Sequence, residues 1–135
     1  MIEWQGLLDT VQQQWHFTLG GCLPLKSCYA DTVQIEQLLI NLLKNAHESG
    51  SAQSAICVKV EQKEAGTLLS VEDAGQGMNE AVMANALVPF YSTKVSGSGL
   101  GLALCREIAE AHHGQLSLHN RGDGKTGLVV KVFIP

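Results

Sequence analysis

Ile35, Leu38, Leu39, Leu42 and Leu43 recur at i, i+3, i+4, i+7 and i+8, so a helix through this stretch carries one unbroken apolar stripe. Asp31, with Gln34 three residues later, reads as a capping box that opens the helix, and Ser49, Gly50 and Ser51 end it. A looser helical pattern in Leu7, Leu8 and Val11 runs through residues 2–14, after which residues 15–19 alternate like a short strand and Gly20 with Gly21 force a turn. Period-two alternation then takes over. Ile56, Val58 and Val60 oppose Cys57, Lys59 and Glu61, and Leu69, Val71 and Asp73 share one face of residues 67–73. Residues 78–98 lose this regularity apart from a short helical stretch around 79–87, as a surface flap would. A second strong helix spans 100–113 and stops at Gly114. Leu116 and Leu118, then Leu128, Val130, Val132 and Ile134, form a final hairpin across Gly122, Gly124 and Gly127.

The order helix, strand, helix, strand, strand, flap, helix, hairpin predicts an α+β fold, a two-layer α/β sandwich whose mixed sheet is covered on one face by helices. A length of 135 residues suits a single domain, 1–135. Nine Lys plus Arg against thirteen Asp plus Glu give a net charge of -4, without the basic excess that phosphate-backbone binding needs, so nucleic acid is excluded as a partner. One nucleotide stays compatible, because it needs only a local set of donors and a metal ion. Cys22, Cys28, Cys57 and Cys105 contain no C-x-x-C pair, which argues against zinc ribbons and thioredoxin-type chemistry. No apolar run approaches a membrane span, and no signal peptide opens the chain. The domain is therefore expected to be cytoplasmic and to make no membrane contact itself, with anchoring of a parent protein in the inner membrane left open.

Three polar clusters stand out. Asn41, Asn45 and Glu48 line up beside the leucine stripe, and Asn is a poor interior helix residue whose amide competes with the backbone. Plain solvation would account for them; an amide oxygen offered to Mg²⁺ would also do so. In VEDAGQGMN, Asp73 ends a buried strand ahead of Gly75 and Gly77. Such a carboxylate suits an ordinary turn, or the amino group of a base approached closely by glycine backbone. In GSGLGLAL, Gly97, Gly99 and Gly101 open a helix, where backbone N–H groups and the helix dipole favour phosphate; with no following Lys-Ser or Lys-Thr, it is not a Walker A loop. Between the last two clusters lies PFYSTK, whose Lys94 is either a solvated surface charge or a point charge within reach of a terminal phosphate, while Phe90 could pin the flap.

Together these clusters match a known set in order and spacing. From about Asp31 to Pro135 the chain resembles the catalytic ATP-binding (HATPase) domain of bacterial sensor histidine kinases: NLLKNA resembles the N box, DAGQG the first glycine box, PFYSTK the F box and GSGLGLAL the second glycine box. The PFYSTK form is most similar to the nitrogen-regulation branch. This resemblance implies a Bergerat-type histidine kinase ATPase fold, with ATP and Mg²⁺ as cofactors. It implies Asn45 as magnesium ligand and, with Lys94, as catalytic residue, Asn41 at the phosphate end, and Asp73, Gly75, Gly77 and Met78 around the base. The lid would be about 78–98, bringing Tyr91, Ser92, Thr93, Lys94, Gly97 and Ser98 to the nucleotide, and Gly99, Leu100, Gly101 and Leu102 would cradle phosphates.

The implied activity is donation of the ATP γ-phosphate to a histidine on a separate dimerisation domain of the same kinase, with a response regulator downstream. The acceptor motif is not found in the chain, so the chain is expected to be inactive alone; about 1–14 reads as a remnant of the linker. Two departures from the family pattern stand out: Glu48, where many relatives carry Lys, and Leu87, where an aromatic is expected. An anti-sigma-factor-like serine kinase would carry Glu in place of Asn41, and a nucleotide-binding docking module without transfer activity is the remaining alternative. His47, His112 and His113 fit no metal-ligand spacing and are expected on helix surfaces.

Overall fold

The computed structural model describes residues 4–15, 17–20, 30–48, 55–75, 77–78, 80–85, 101–121 and 126–135. In chain order these form α1 (Trp4–Gln12), β1 (Thr18–Gly20), α2 (Thr32–Glu48), β2 (Cys57–Lys63), β3 (Gly66–Glu72), α3 (Glu80–Asn85), α4 (Gly101–Ala111), β4 (Gln115–Asn120) and β5 (Leu128–Ile134). The strands make one mixed sheet in the order β1-β2-β3-β5-β4, with β1 parallel to β2 and every other pair antiparallel. The α+β class and the expected order of helices and strands are found, with α3 inside the expected 79–87 stretch; residues 86–98 of the expected flap lie outside the described residues.

The leucine stripe of α2 is the centre of the core. Ile35, Leu38, Leu39, Leu42, Leu43 and Ala46 are all buried, and beneath them lie Val58 and Val60 of β2, Leu69 and Val71 of β3, and Val130, Val132 and Ile134 of β5. Each fully buried aliphatic side chain of this kind contributes about 1.5–3 kcal/mol through removal from water. The opposite strand positions mix the charges of Lys59, Glu61 and Lys131 with half-buried Leu68, Val129 and Phe133 on the second sheet face. Residues 4–12, expected as linker, form a helix that seals one side of this core: Trp4, Leu7, Leu8 and Val11 are buried, and α1 packs on α2. Gly20, expected in a turn with Gly21, is the last residue of β1, where a side chain would press on Cys57 Sγ at 3.0 Å; Gly21 and the turn lie outside the described residues, as do Ser49, Gly50 and Ser51.

The cap of α2 differs from the expected reciprocal box. Asp31 Oδ1 accepts the N–H of Gln34 at 3.0 Å, but the N–H of Asp31 itself is taken by His112 Nε2 at 3.0 Å. Since Nε2 is here an acceptor, the ring proton sits on Nδ1, which donates to the C=O of Ile108 at 2.8 Å. One neutral imidazole thus ties the start of α2 to the end of α4. Further along the same contact, Cys105 Sγ reaches the C=O of Leu38 at 3.5 Å, so the two helices run antiparallel.

The end of α4 explains the neighbouring residues. The N–H of Gly114 bonds the C=O of Ala109 at 2.9 Å and that of His113 bonds Glu110 at 3.0 Å, the paired closure in which the residue after the cap is left-handed. That residue is His113, with φ 63°, and not the glycine. Gly114 is required for another reason: a Cβ there would stand 1.9 Å from the C=O of Phe133 on β5. Among the described residues no helix is long and apolar enough to cross a membrane.

Replacing His112 by Ala removes the tie and returns an exposed helix-terminal N–H to water, which should lower unfolding free energy by about 1 kcal/mol. Leu39→Ala, which opens a cavity in the core, should cost about 2–5 kcal/mol. Urea titrations of the two variants against the native chain, with unchanged denaturant slope, check the ranking.

Candidate functional site

Strand β3 delivers Asp73 to the edge of the core. Asp73 is 3% exposed, continuing the inward row of Thr67, Leu69 and Val71. Its N–H donates to the C=O of Leu128 at 3.0 Å, a normal antiparallel contact. The return contact is not backbone to backbone: the N–H of Leu128 donates to Asp73 Oδ1 at 3.2 Å, and the same oxygen accepts the N–H of Gly75 at 2.9 Å. A buried carboxylate is thereby fixed by two backbone donors, the pairing a buried charge requires.

Three further groups shape this corner. A Cβ on Gly127 would lie 2.1 Å from the C=O of Asp73, and Gly127 has φ +142°, so both space and backbone demand glycine there. Gly77 has φ +72°, and a side chain on it would meet Asn120 Oδ1 at 2.9 Å. Asn120, at the end of β4, accepts the N–H of Met78 at 3.0 Å and donates to its C=O at 2.6 Å. On the outer face next to Asp73, Glu72 pairs with Arg121 at 3.2 Å. Asp73, Gly75, Gly77 and Met78, all expected around a base, are therefore one loop seated on the start of β5 and the end of β4. Asn120 and Gly127 were not among the expected site residues; the first is a polar residue at a strand end, and the second reads in sequence only as hairpin glycine.

The second group lies on α2. Asn41 and Asn45 are half-buried, one turn apart, on the edge of the leucine stripe. Gln37 Nε2 donates to Asn41 Oδ1 at 3.0 Å, one turn earlier on the same face. Across the helix contact lies Cys105, fully buried at 0% exposure. Burial pushes its thiol up to about 12, opposed by a hydrogen bond from the Asn41 side chain. Asn41 is thus engaged on both sides by the protein. Gly101 and Leu102 begin α4, the first exposed with nothing near its absent Cβ, the second buried. Phe90, Tyr91, Ser92, Thr93, Lys94, Gly97, Ser98, Gly99, Leu100 and Leu87 lie outside the described residues.

Of the three histidines expected on helix surfaces, His113 is exposed, while His47 and His112 are half-buried and engaged. His112 is the tie described above, and His47 packs against Trp15 at a tilt, with ring centroids 5.3 Å apart and its Nε2 buried without a hydrogen-bond partner. Among the described residues no cluster of His, Cys, Asp or Glu could hold a metal ion. A hard cation bound mainly by phosphate and water asks the protein for only one or two oxygens, and the amide oxygen of Asn45 has that chemistry.

Residues 30–135 match the family described as histidine kinase-, DNA gyrase B-, and HSP90-like ATPase. The chain is 38% identical over 110 residues to the C4-dicarboxylate transport sensor protein DctS of Rhodobacter capsulatus, covering 78% of this chain and 17% of that protein. It is 40% identical over 104 residues to an NtrY-like sensor histidine kinase of Rickettsia bellii, covering 76% of this chain and again 17% of the relative. A nucleotide-free structure of the catalytic domain of histidine kinase ThkA superposes with a TM-score of 0.83 at 26% identity, covering 99% of this chain and 92% of that one. The chain thus spans about a sixth of the length of the two curated relatives and nearly the whole of an isolated catalytic domain.

The buried thiol yields a measurable consequence. With Cys105 near 12 against an ordinary 9.0, its thiolate fraction at pH 8 is about a thousandfold smaller than in the unfolded chain. Iodoacetamide followed by peptide mapping should label Cys105 at least about a hundredfold more slowly in the native chain than in denaturant. The folded value lies above the unfolded one, so the proton stabilises the fold fully below 9.0 and that contribution is lost as pH rises towards about 12.

Proposed function

The chain belongs to the histidine kinase-, DNA gyrase B- and HSP90-like ATPase family, as the ATP-binding domain of a sensor histidine kinase, and from that premise we propose which of its residues serve the nucleotide and what the whole kinase does with it. The observation that carries the reading is Asp73, a carboxylate buried at a strand end and held by the N–H groups of Gly75 and Leu128. A carboxylate so fixed accepts a hydrogen bond from the exocyclic amine of adenine and rejects a base that presents a carbonyl there. Gly75 and Gly77 leave the loop without side chains that would hold a base away.

Asn45 would supply an amide oxygen to Mg²⁺, and its place on α2 puts that oxygen on a rigid helix packed into the core. Magnesium, when bound, neutralises phosphate charge. Asn41, braced by Gln37 and Cys105, fixes the polar edge of α2 beside it. The start of α4 at Gly101 and Leu102 offers backbone N–H groups to phosphate, and Lys94, with Tyr91, Ser92, Thr93, Gly97, Ser98, Gly99 and Leu100, would close over it. Transfer of this kind depends on positioning and charge stabilisation. The chain holds the donor; the γ-phosphate goes to a histidine on a dimerisation domain of the same kinase, and from there to a response regulator in two-component signalling. Because α1 is buried against α2, residues 4–12 act as part of the catalytic domain.

Asp73→Asn keeps a carbonyl oxygen for Gly75 and Leu128 and places an N–H₂ where the adenine amine would donate, so it tests recognition without orphaning the buried backbone. Calorimetric titration with Mg-ATP should show affinity reduced about 10- to 100-fold in this variant, with the thermal midpoint nearly unchanged. Unchanged affinity would sink the base assignment. Asn45→Ala should leave magnesium-free ATP binding alone and shrink the gain that magnesium brings; an undiminished gain would remove Asn45 as ligand.

A further inference from the structure

We propose that Asn120 is a positioning residue for base recognition: its side-chain amide holds the Met78 peptide and so sets the loop that begins at Asp73, an inference that rests on the nucleotide reading above. Asn120 pairs with Leu128 in the β4–β5 register, and its side chain extends the sheet by one more contact, onto a loop 42 residues earlier in the chain. Only one orientation of the amide satisfies both bonds, oxygen to the Met78 N–H at 3.0 Å and nitrogen to the Met78 C=O at 2.6 Å. The amide thus serves as a substitute strand partner where no strand continues.

The two ends of the loop are held by one rung of the hairpin. Leu128 fixes Asp73 through its N–H and C=O, and Asn120, its partner in the register, fixes Met78. Gly77 is fitted around the amide, with φ +72° and no room for a Cβ beside Oδ1. A loop fixed at both ends has already lost the freedom that a ligand would otherwise have to remove. The Asn120 bonds are solvent-exposed, so their loss returns both Met78 groups to water and leaves the β4–β5 ladder whole. The effect falls on ligand recognition and little on global stability.

The test compares ATP with inosine triphosphate, which lacks the exocyclic amine, by calorimetric titration of the native chain, Asn120→Ala, Asn120→Asp and Asp73→Asn, each with a thermal melt. Asn120→Ala should bind ATP about tenfold more weakly while inosine triphosphate changes by about twofold or less, at an unchanged melting midpoint. Asn120→Asp keeps size and the acceptor for the Met78 N–H but sets a charged oxygen in place of the donor to the Met78 carbonyl, so it should fail to restore the ATP preference. Equal losses for both nucleotides, or native behaviour of either Asn120 variant, would overturn the positioning role while Asp73→Asn still abolishes the preference. A native chain that binds neither nucleotide, or that does not distinguish them, would remove the base reading and the role of Asn120 with it.

Discussion

The site depends on one substitution in a hydrogen-bond ladder: at the end of β3 the carboxylate of Asp73, and not its backbone carbonyl, receives the N–H of Leu128. The carbonyl has been turned against Gly127, where even a methyl group would not fit. This exchange lets the sheet terminate without an unpaired donor and leaves a carboxyl group buried at the terminus. A sheet ended by ordinary pairing would have no reason to keep an acid there, and an acid without the two backbone donors would leave buried oxygen unpaired. The loop from Gly75 to Met78 follows from the same exchange, because it must leave the sheet immediately after a residue whose backbone is already committed.

The core and the proposed site draw on two different groups of residues. Leucines of α2 and the inward positions of β2, β3 and β5 form a conventional apolar core that fixes where α2 lies. The polar border of that helix, Gln37, Asn41 and Asn45, then inherits its rigidity. Asn in a helix interior competes with the backbone, and here Asn41 is spared that competition by Gln37 on one side and Cys105 on the other.

What was legible in the sequence is what short-range periodicity encodes. The α2 stripe, the alternation of β2 and β3, the inward direction of Asp73 and the closing hairpin follow from spacings of two, three and four residues. The missed features are bonds between distant positions: Met78 to Asn120, Asp73 to Leu128 and Asp31 to His112 are separated by 42, 55 and 81 residues. No local pattern distinguishes Asn120 from any polar strand end, or His112 from the adjacent His113, although one bridges two helices and the other supplies the left-handed turn. Helix α1 was recognisable as a helix, but its place in the core depends on its buried face meeting α2, which the spacing of its own residues does not encode. Gly114 and Gly127 were legible as glycines; the carbonyl groups that forbid a side chain there belong to other strands.

The imidazole between Asp31 and Ile108 fastens α2 and α4 at the end where α2 begins. Asn45 lies about 20 Å farther along α2, at a rise of about 1.5 Å per residue. The seam continues along the helices through Cys105, opposite Leu38 and Asn41, so the imidazole sets one end of a long contact. A rotation of about 3° about that fastening would move the tip of α2 by about 1 Å, the scale on which phosphate contacts are made or lost. His112, at the end of α2 away from Asn45, sets the angle at which that seam begins.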